Sequence, residues 1–281
     1  MQSYFRGLLL TLMCMANPAF AQKNTVVTAR SALTYADVAD LATGAPITLE
    51  ARIRKATKIT GPAAVGVLLT HQRFLIEADV TALIRGPGTL PPRINYLFDA
   101  PRDAKGKLPK LVKMPVILFA DAVRGRSNQV QLSAPDAQIA ATPQDSQRIR
   151  SILSAATAPD SPPTIVGVGN AFHVTGTLQG EGETQIFLQS DDGRPLSFTI
   201  VRSSGSAPSW SVSIGEIVDS AAPQPAPDTF LWYRLACFVP ANLPSASVAD
   251  ASAEDARIIA EDYRLVVAGL GVCQRARLTR P

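Results

Sequence analysis

The side chains best suited to proton transfer, metal binding or covalent chemistry are few: His71, His173, Cys237 and Cys273. His173 is the stronger catalytic candidate. Glu181 and Glu183 follow it closely and Ser190 lies beyond, so a carboxylate-oriented base acting on a serine could be assembled there. The plainer reading makes His173 a strand residue with its ring satisfied by a backbone carbonyl, and His71 a solvated residue opening a strand. Neither histidine belongs to an H-E-x-x-H pattern, and C-x-x-C is absent, so no metal site is expected. G-x-S-x-G, S-x-x-K and the P-loop are also missing. Gly167-Val168-Gly169-Asn170 looks like half a nucleotide fingerprint, but no helical pattern follows it, so no cofactor is expected. Arg234 stands inside the apolar run Phe230–Val239. It either lays its stem along one face with its head in water or pairs with Glu183 or Glu216.

The cysteines take their meaning from the N-terminus. Arg6, the apolar stretch Gly7–Ala16 and Ala19-Phe20-Ala21 before Gln22 have the order of a cleavable signal peptide over residues 1–21. The apolar stretch is about half of the roughly 20 residues that a membrane anchor needs. Leu12-Met13 ahead of Cys14 does not make a lipobox, so lipidation is not expected there. Cleavage would remove Cys14 and leave Cys237 and Cys273 in an oxidising compartment, where they are expected to form one structural disulfide. Closing the 37-residue loop from Cys237 to Cys273 stabilises the fold by about 3–4 kcal/mol in the chain-entropy treatment. The protein is thus expected to be periplasmic or secreted, with no transmembrane segment once the leader is gone.

Composition suggests two parts. Thr157-Ala-Pro-Asp-Ser-Pro-Pro163 holds three prolines and favours an extended connector, dividing a first domain at 22–158 from a second at 159–281. The first part carries 18 Lys/Arg against 10 Asp/Glu, and the second 8 against 13. Such asymmetry fits ordinary solvated charge, docking of one part on the other, or a basic face turned to lipid headgroups or polysaccharide. Nucleic acid is not an expected partner, because the basic residues are scattered and aromatics are few.

The elements that must position these residues are mostly strands. Thr34 caps a short helix carrying Tyr35, Val38, Leu41 and Ala42 on one face, and Gly44 ends it. Alternation predicts a strand at 47–54, then further strands at 73–85, 93–99, 114–123 and 129–133. Thr142-Pro143 opens a helix with Ile149, Ile152, Leu153 and Ala156 as its buried stripe. The second part predicts strands at 171–178, 184–189 and 196–201, the last two joined through Asp191-Asp192-Gly193, and an edge or half-buried strand around Trp210, Val212 and Ile214. The run 230–239 reads as a central strand. A last helix begins at Ser252, with Asp255 reciprocal to the cap, and ends at Gly269. The fold class is mainly β with flanking helices (α+β), arranged as two small β-barrel-like domains, the first OB-like.

The succession "VTALIRGPG", "RINYLFD", a polar loop and "VILFADAV" resembles the netrin-type OB barrels of the tissue inhibitors of metalloproteinases and some exported bacterial proteins, over roughly residues 45–133. Those inhibitors use an N-terminal cysteine on the protease metal. A chain starting at Gln22 has none, so that activity is not implied. The segments "GEGETQIFL", "GEIVD" and "LWYRLACF" are similar to an uncharacterised family of exported bacterial proteins, which implies export and no particular activity. The function expected is a non-catalytic envelope module that binds a protein or glycan through barrel loops. An accessory or inhibitory subunit of an envelope enzyme, and a hydrolase built around His173, are the alternatives.

Overall fold

The computed structural model describes residues 33–215 and 224–277. The expected leader at 1–21, with Cys14, and the possible Arg234 partner Glu216 lie outside those residues.

The chain enters through α1 (Tyr35–Gly44). Thr34 Oγ1 accepts from the Asp37 amide, as a cap should, and the Asp37 carboxylate accepts from the Thr34 amide, which completes a capping box. Five strands then form a nearly closed barrel: β1 (Ile47–Lys58), β2 (His71–Arg85), β3 (Arg93–Pro101), β4 (Pro115–Ala122) and β5 (Val130–Leu132). Their order is β3-β2-β1-β4-β5, and a parallel bridge between Asn95 and Gln129 joins the two ends. β1 pairs with β2 along one edge and with β4 along the other, and three register shifts interrupt its pairing with β2. The arrangement is the OB-like barrel expected for the first part. Leu49, Ala51 and Ile53 point inward with Phe74, Ile76, Ile94, Tyr96, Phe98, Val116 and Leu118. A sixth short strand, β6 (Gln138–Ala140), was not anticipated; it pairs with β4, and buried Gln138 accepts from Tyr96 Oη at 2.7 Å. Burial pushes the Tyr96 hydroxyl pKa up.

The run in β4 is apolar on both faces because both are covered. Val116, Leu118 and Ala120 fill the barrel, while Ile117 and Phe119 face a second core. That core also receives Val38 and Leu41 from α1, and Ile149, Ile152 and Leu153 from α2 (Pro143–Thr157). Its other side is the inner face of a second sheet, made of β7 (Ile165–Thr175), β8 (Gly182–Ser190), β9 (Leu196–Arg202) and β10 (Ser209–Ile214). Where a second barrel-like element was expected, the chain builds an open antiparallel meander, β10-β9-β8-β7. Residues 33–281 form one compact unit, and the proline connector runs between α2 and β7 inside it.

Two expectations are corrected. The run from Phe230 is not a central strand. It forms α3 (Phe230–Ala236), started by Thr229, whose Oγ1 accepts from the Trp232 amide at 3.2 Å. A short apolar aromatic run carries no decisive period, and here the cap and the surrounding helices settle it. Gly269 does not end the last helix. α4 runs Ala253–Leu270 and is closed by Gly271 at φ 73°, the left-handed conformation that glycine tolerates. Gly269 is instead a close-approach position, where an added Cβ would come within 2.7 Å of Trp210 Nε1.

The Cys237–Cys273 disulfide is formed. It ties the exit of α4 to the end of α3, rather than to a strand. Trp232 Nε1 donates to the Leu270 carbonyl at the end of α4 at 2.7 Å, and Tyr263 Oη donates to the Pro240 carbonyl in the segment after α3 at 2.5 Å. Among the described residues no helix is long and apolar enough to cross a membrane.

Candidate functional site

His173 lies on β7 directly opposite Thr184 on β8. Strand pairing puts both side chains on the inner face, against α4. There Thr184 Oγ1 donates to Asp262 Oδ2 at 2.5 Å, and His173 Nδ1 lies 2.9 Å from the same hydroxyl. A threonine hydroxyl has one proton to give, and it is given to the carboxylate. The contact with His173 is therefore a donation from Nδ1–H. Asp262 is 1% exposed, and Arg202 of β9 donates to its Oδ1 from Nε at 3.0 Å and Nη2 at 2.5 Å. The result is a relay from a buried ion pair through a hydroxyl to a half-buried imidazole. Gly182 makes room for the ring, since a Cβ there would meet His173 Cε1 at 2.5 Å.

The relay reaches a cavity of about 280 Å³ between β7, the 3-10 turn Ser245–Val248 and the start of α4. His173, Asn170, Ser247, Ser252 and Asp255 contribute to its lining. Ser252 is engaged as the α4 cap, its Oγ accepting from the Asp255 amide. Ser247 Oγ is buried and has no hydrogen-bond partner among the described residues.

The residues expected around His173 are not the ones that surround it. Glu183 neighbours Thr184 on β8, faces the other side of the sheet and accepts from Gln185. Glu181 sits in the turn before β8, where its backbone carbonyl accepts from Gly176. Ser190 is at the far end of β8, opposite Ile165, and donates to the Arg194 carbonyl. The orienting carboxylate is Asp262, 89 positions further on, which the sequence reading missed. Its signal was a carboxylate standing in the Ile259, Tyr263, Val266, Leu270 stripe of α4. His71 is engaged with the neighbouring Thr70 hydroxyl at 2.9 Å.

Arg234 does not pair with Glu183, and among the described residues it has no carboxylate partner. Its guanidinium lies 4.8 Å from the Phe230 ring centre and within 6 Å of those of Tyr233 and Phe238. Burial lowers its pKa, and Nε has no hydrogen-bond partner among the described residues. Stacking on rings suits a weakly hydrated, planar cation.

A larger opening lies on the barrel. A groove of about 770 Å³ runs where β3 approaches β5, floored by Leu75 and Leu97 and edged by Asn95, Arg126, Gln129 and Gln131. Leu97 is 51% exposed, so the groove has an apolar shelf with amide and guanidinium donors beside it. The Arg73–Asp99 pair, bidentate at 2.8 Å, closes one end. Among the described residues no three His, Cys, Asp or Glu side chains converge in a way that would hold a metal ion. No protein-family model matches this chain, and no curated protein matches it either.

Proposed function

We propose that this chain is an exported binding or interaction module that engages a protein segment or glycan through the barrel groove. The observation that carries the reading is the groove itself. An apolar shelf at Leu75 and Leu97 beside the hydrogen-bonding groups of Asn95, Arg126 and Gln131 suits an extended ligand that presents alternating apolar and polar faces. Export is supported by the leader pattern at 1–21 and by a disulfide that suits an oxidising compartment. The likeness of the strand pattern to netrin-type barrels supports a version in which the ligand is another envelope protein and this chain its accessory or inhibitory subunit.

The test is capture from envelope extract by the chain from Gln22, beside a Leu97→Glu, Arg126→Glu variant. A partner or glycan retained by the wild type and lost by the variant supports the groove. Equal capture by both overturns it.

A hydrolase built around His173 is a second reading, favoured by the Asp262–Thr184–His173 relay ending at a cavity. A substrate screen in which turnover disappears with His173→Ala but survives Leu97→Glu would select it over the first.

A further inference from the structure

The β1–β2 connection is an apolar tip on a basic end of the barrel. Val65, Leu68 and Leu69 are 77%, 66% and 98% exposed. Single exposed leucines are ordinary, but three large aliphatics on one short loop are not. The tip is held in shape by its own backbone. A 3-10 turn at Gly61–Ala64 is followed by bonds from Val65 to Pro62, Val67 to Ala64 and His71 to Leu68. Gly61 and Gly66 take positive φ. Arg73 Nη1 donates to the Ala63 carbonyl, and Gln72 Nε2 to that of Ile59, which fixes the loop to β2. The side chains are thus kept in water by a folded loop.

The surrounding charge is mainly positive. Residues 52–79 and 102–113, with Asp99 beside Arg73, hold ten Lys/Arg against four carboxylates, Glu77, Asp79, Asp99 and Asp103. The two segments adjoin, since the Arg102 amide donates to the Thr70 carbonyl. Asp103 is taken up locally by the amides of Lys105 and Lys107. Lys58, Lys105, Lys107 and Lys110 are exposed and have no ion-pair partner among the described residues; Lys55 is paired with Glu77 and Arg73 with Asp99.

We propose that this end docks on an anionic phospholipid surface, with Val65, Leu68 and Leu69 entering the headgroup boundary and the basic rim meeting the lipid phosphates. Lysines near a charged plane gain attraction that salt weakens, and aliphatic side chains add burial that salt leaves in place. A soluble polyanion would use the lysines but have no use for the aliphatic tip, and the convex shape of a hairpin end suits a plane. This site meets the groove at Arg73 but does not rest on the groove's being a binding site.

The experiment is flotation of the chain from Gln22 with vesicles of phosphatidylcholine, with or without phosphatidylglycerol. Omitting the leader keeps its apolar run from supplying the binding, and residues 33–281 form a compact unit without it. Partition into the phosphatidylglycerol vesicles should exceed that into phosphatidylcholine alone by at least about tenfold and fall as salt rises. Leu68→Ser with Leu69→Ser should lower it by roughly tenfold, as should Lys105→Glu with Lys107→Glu. Leu97→Glu, Arg126→Glu should leave it unchanged, so failure here and failure of the groove are distinguishable. A Leu69→Trp reporter should shift its emission to the blue on binding. All four leucine and lysine positions are exposed, and matching melting curves would confirm that the variants fold. Equal partition into both vesicles, no partition at low salt, or displacement by a soluble sulfated glycan with the leucine variant unaffected would each overturn the proposal.

Discussion

Two helix carboxylates are equally cut off from water and satisfied differently. Asp37 in α1 receives mainly backbone amides: Thr34 at its own helix start, whose hydroxyl also donates, then Ala276 and Arg277 from the segment after the disulfide. Asp262 in α4 receives side chains: the Arg202 guanidinium and the Thr184 hydroxyl, which passes the contact on to His173. The first network closes on the main chain and holds the C-terminal segment to α1. Arg275 strengthens it on Asp40, which also accepts from Tyr233 Oη, and Arg277 does so on Asp136. The second ends on an imidazole at a cavity. Burial of a charge is therefore no guide to its use. Where its hydrogen bonds terminate distinguishes a clamp from a site.

Asp262 should be the most sensitive position. Asp262→Ala leaves the guanidinium and the hydroxyl without their acceptor, and should cost about 3 kcal/mol in urea unfolding. A loss below about 1 kcal/mol would mean that water replaces the carboxylate and that the network is not structural. Asp37→Ala should cost about 2 kcal/mol, through a lost cap and two unpaired amides. It should also speed hydrogen exchange at the amides of Ala276 and Arg277, which Asp262→Ala should leave alone. Thr184→Val should cost about 1 kcal/mol and uncouple His173. Nitrogen NMR of the neutral ring should show the Nδ1-protonated tautomer in the wild type and a redistributed one in the variant; identical spectra would remove the relay.

The smallest effect is with pH. Burial raises the pKa of Asp37, but the amides of Arg277, Thr34 and Ala276 outweigh it and hold the carboxyl below its ordinary 3.8. The Arg277 guanidinium does the same for Asp136. A depressed folded value means stability that is present above the unfolded pKa and lost as pH falls through the folded one. Melting temperature should stay level above about pH 5 and decline below 4, with less decline in Arg277→Gln. A decline that begins well above pH 5 would place its origin elsewhere.

Much of the frame was legible in advance. Thr34, Thr142 and Ser252 each start a helix as read, because a cap is a local exchange between a hydroxyl and an amide three residues on. The barrel strands were readable where one face is wet, as in β1, with Leu49, Ala51 and Ile53 in and Arg52 and Arg54 out. Reading failed where neighbours decide. The run at Phe230 has a strand's composition and a helix's surroundings, and Gly269 has a cap's identity and a packing role against Trp210. Glu181 and Glu183 were credible partners for His173 because they are near in sequence, yet alternation along β8 turns Glu183 to the opposite face.

By itself the sequence determined the local chemistry of this protein: helix starts, strand periods, the glycine turns, and the pairing of the two cysteines of the described chain. Each rests on contacts within a few residues, or on having only one available partner. Tertiary structure alone decided that one helix-layered core joins the barrel to the meander, that Arg234 stacks on rings, and that His173 answers to Asp262 through Thr184. Those outcomes depend on which faces of distant elements meet. A carboxylate on an apolar helix stripe becomes part of a relay only when the opposing strand supplies a hydroxyl and a ring to complete it.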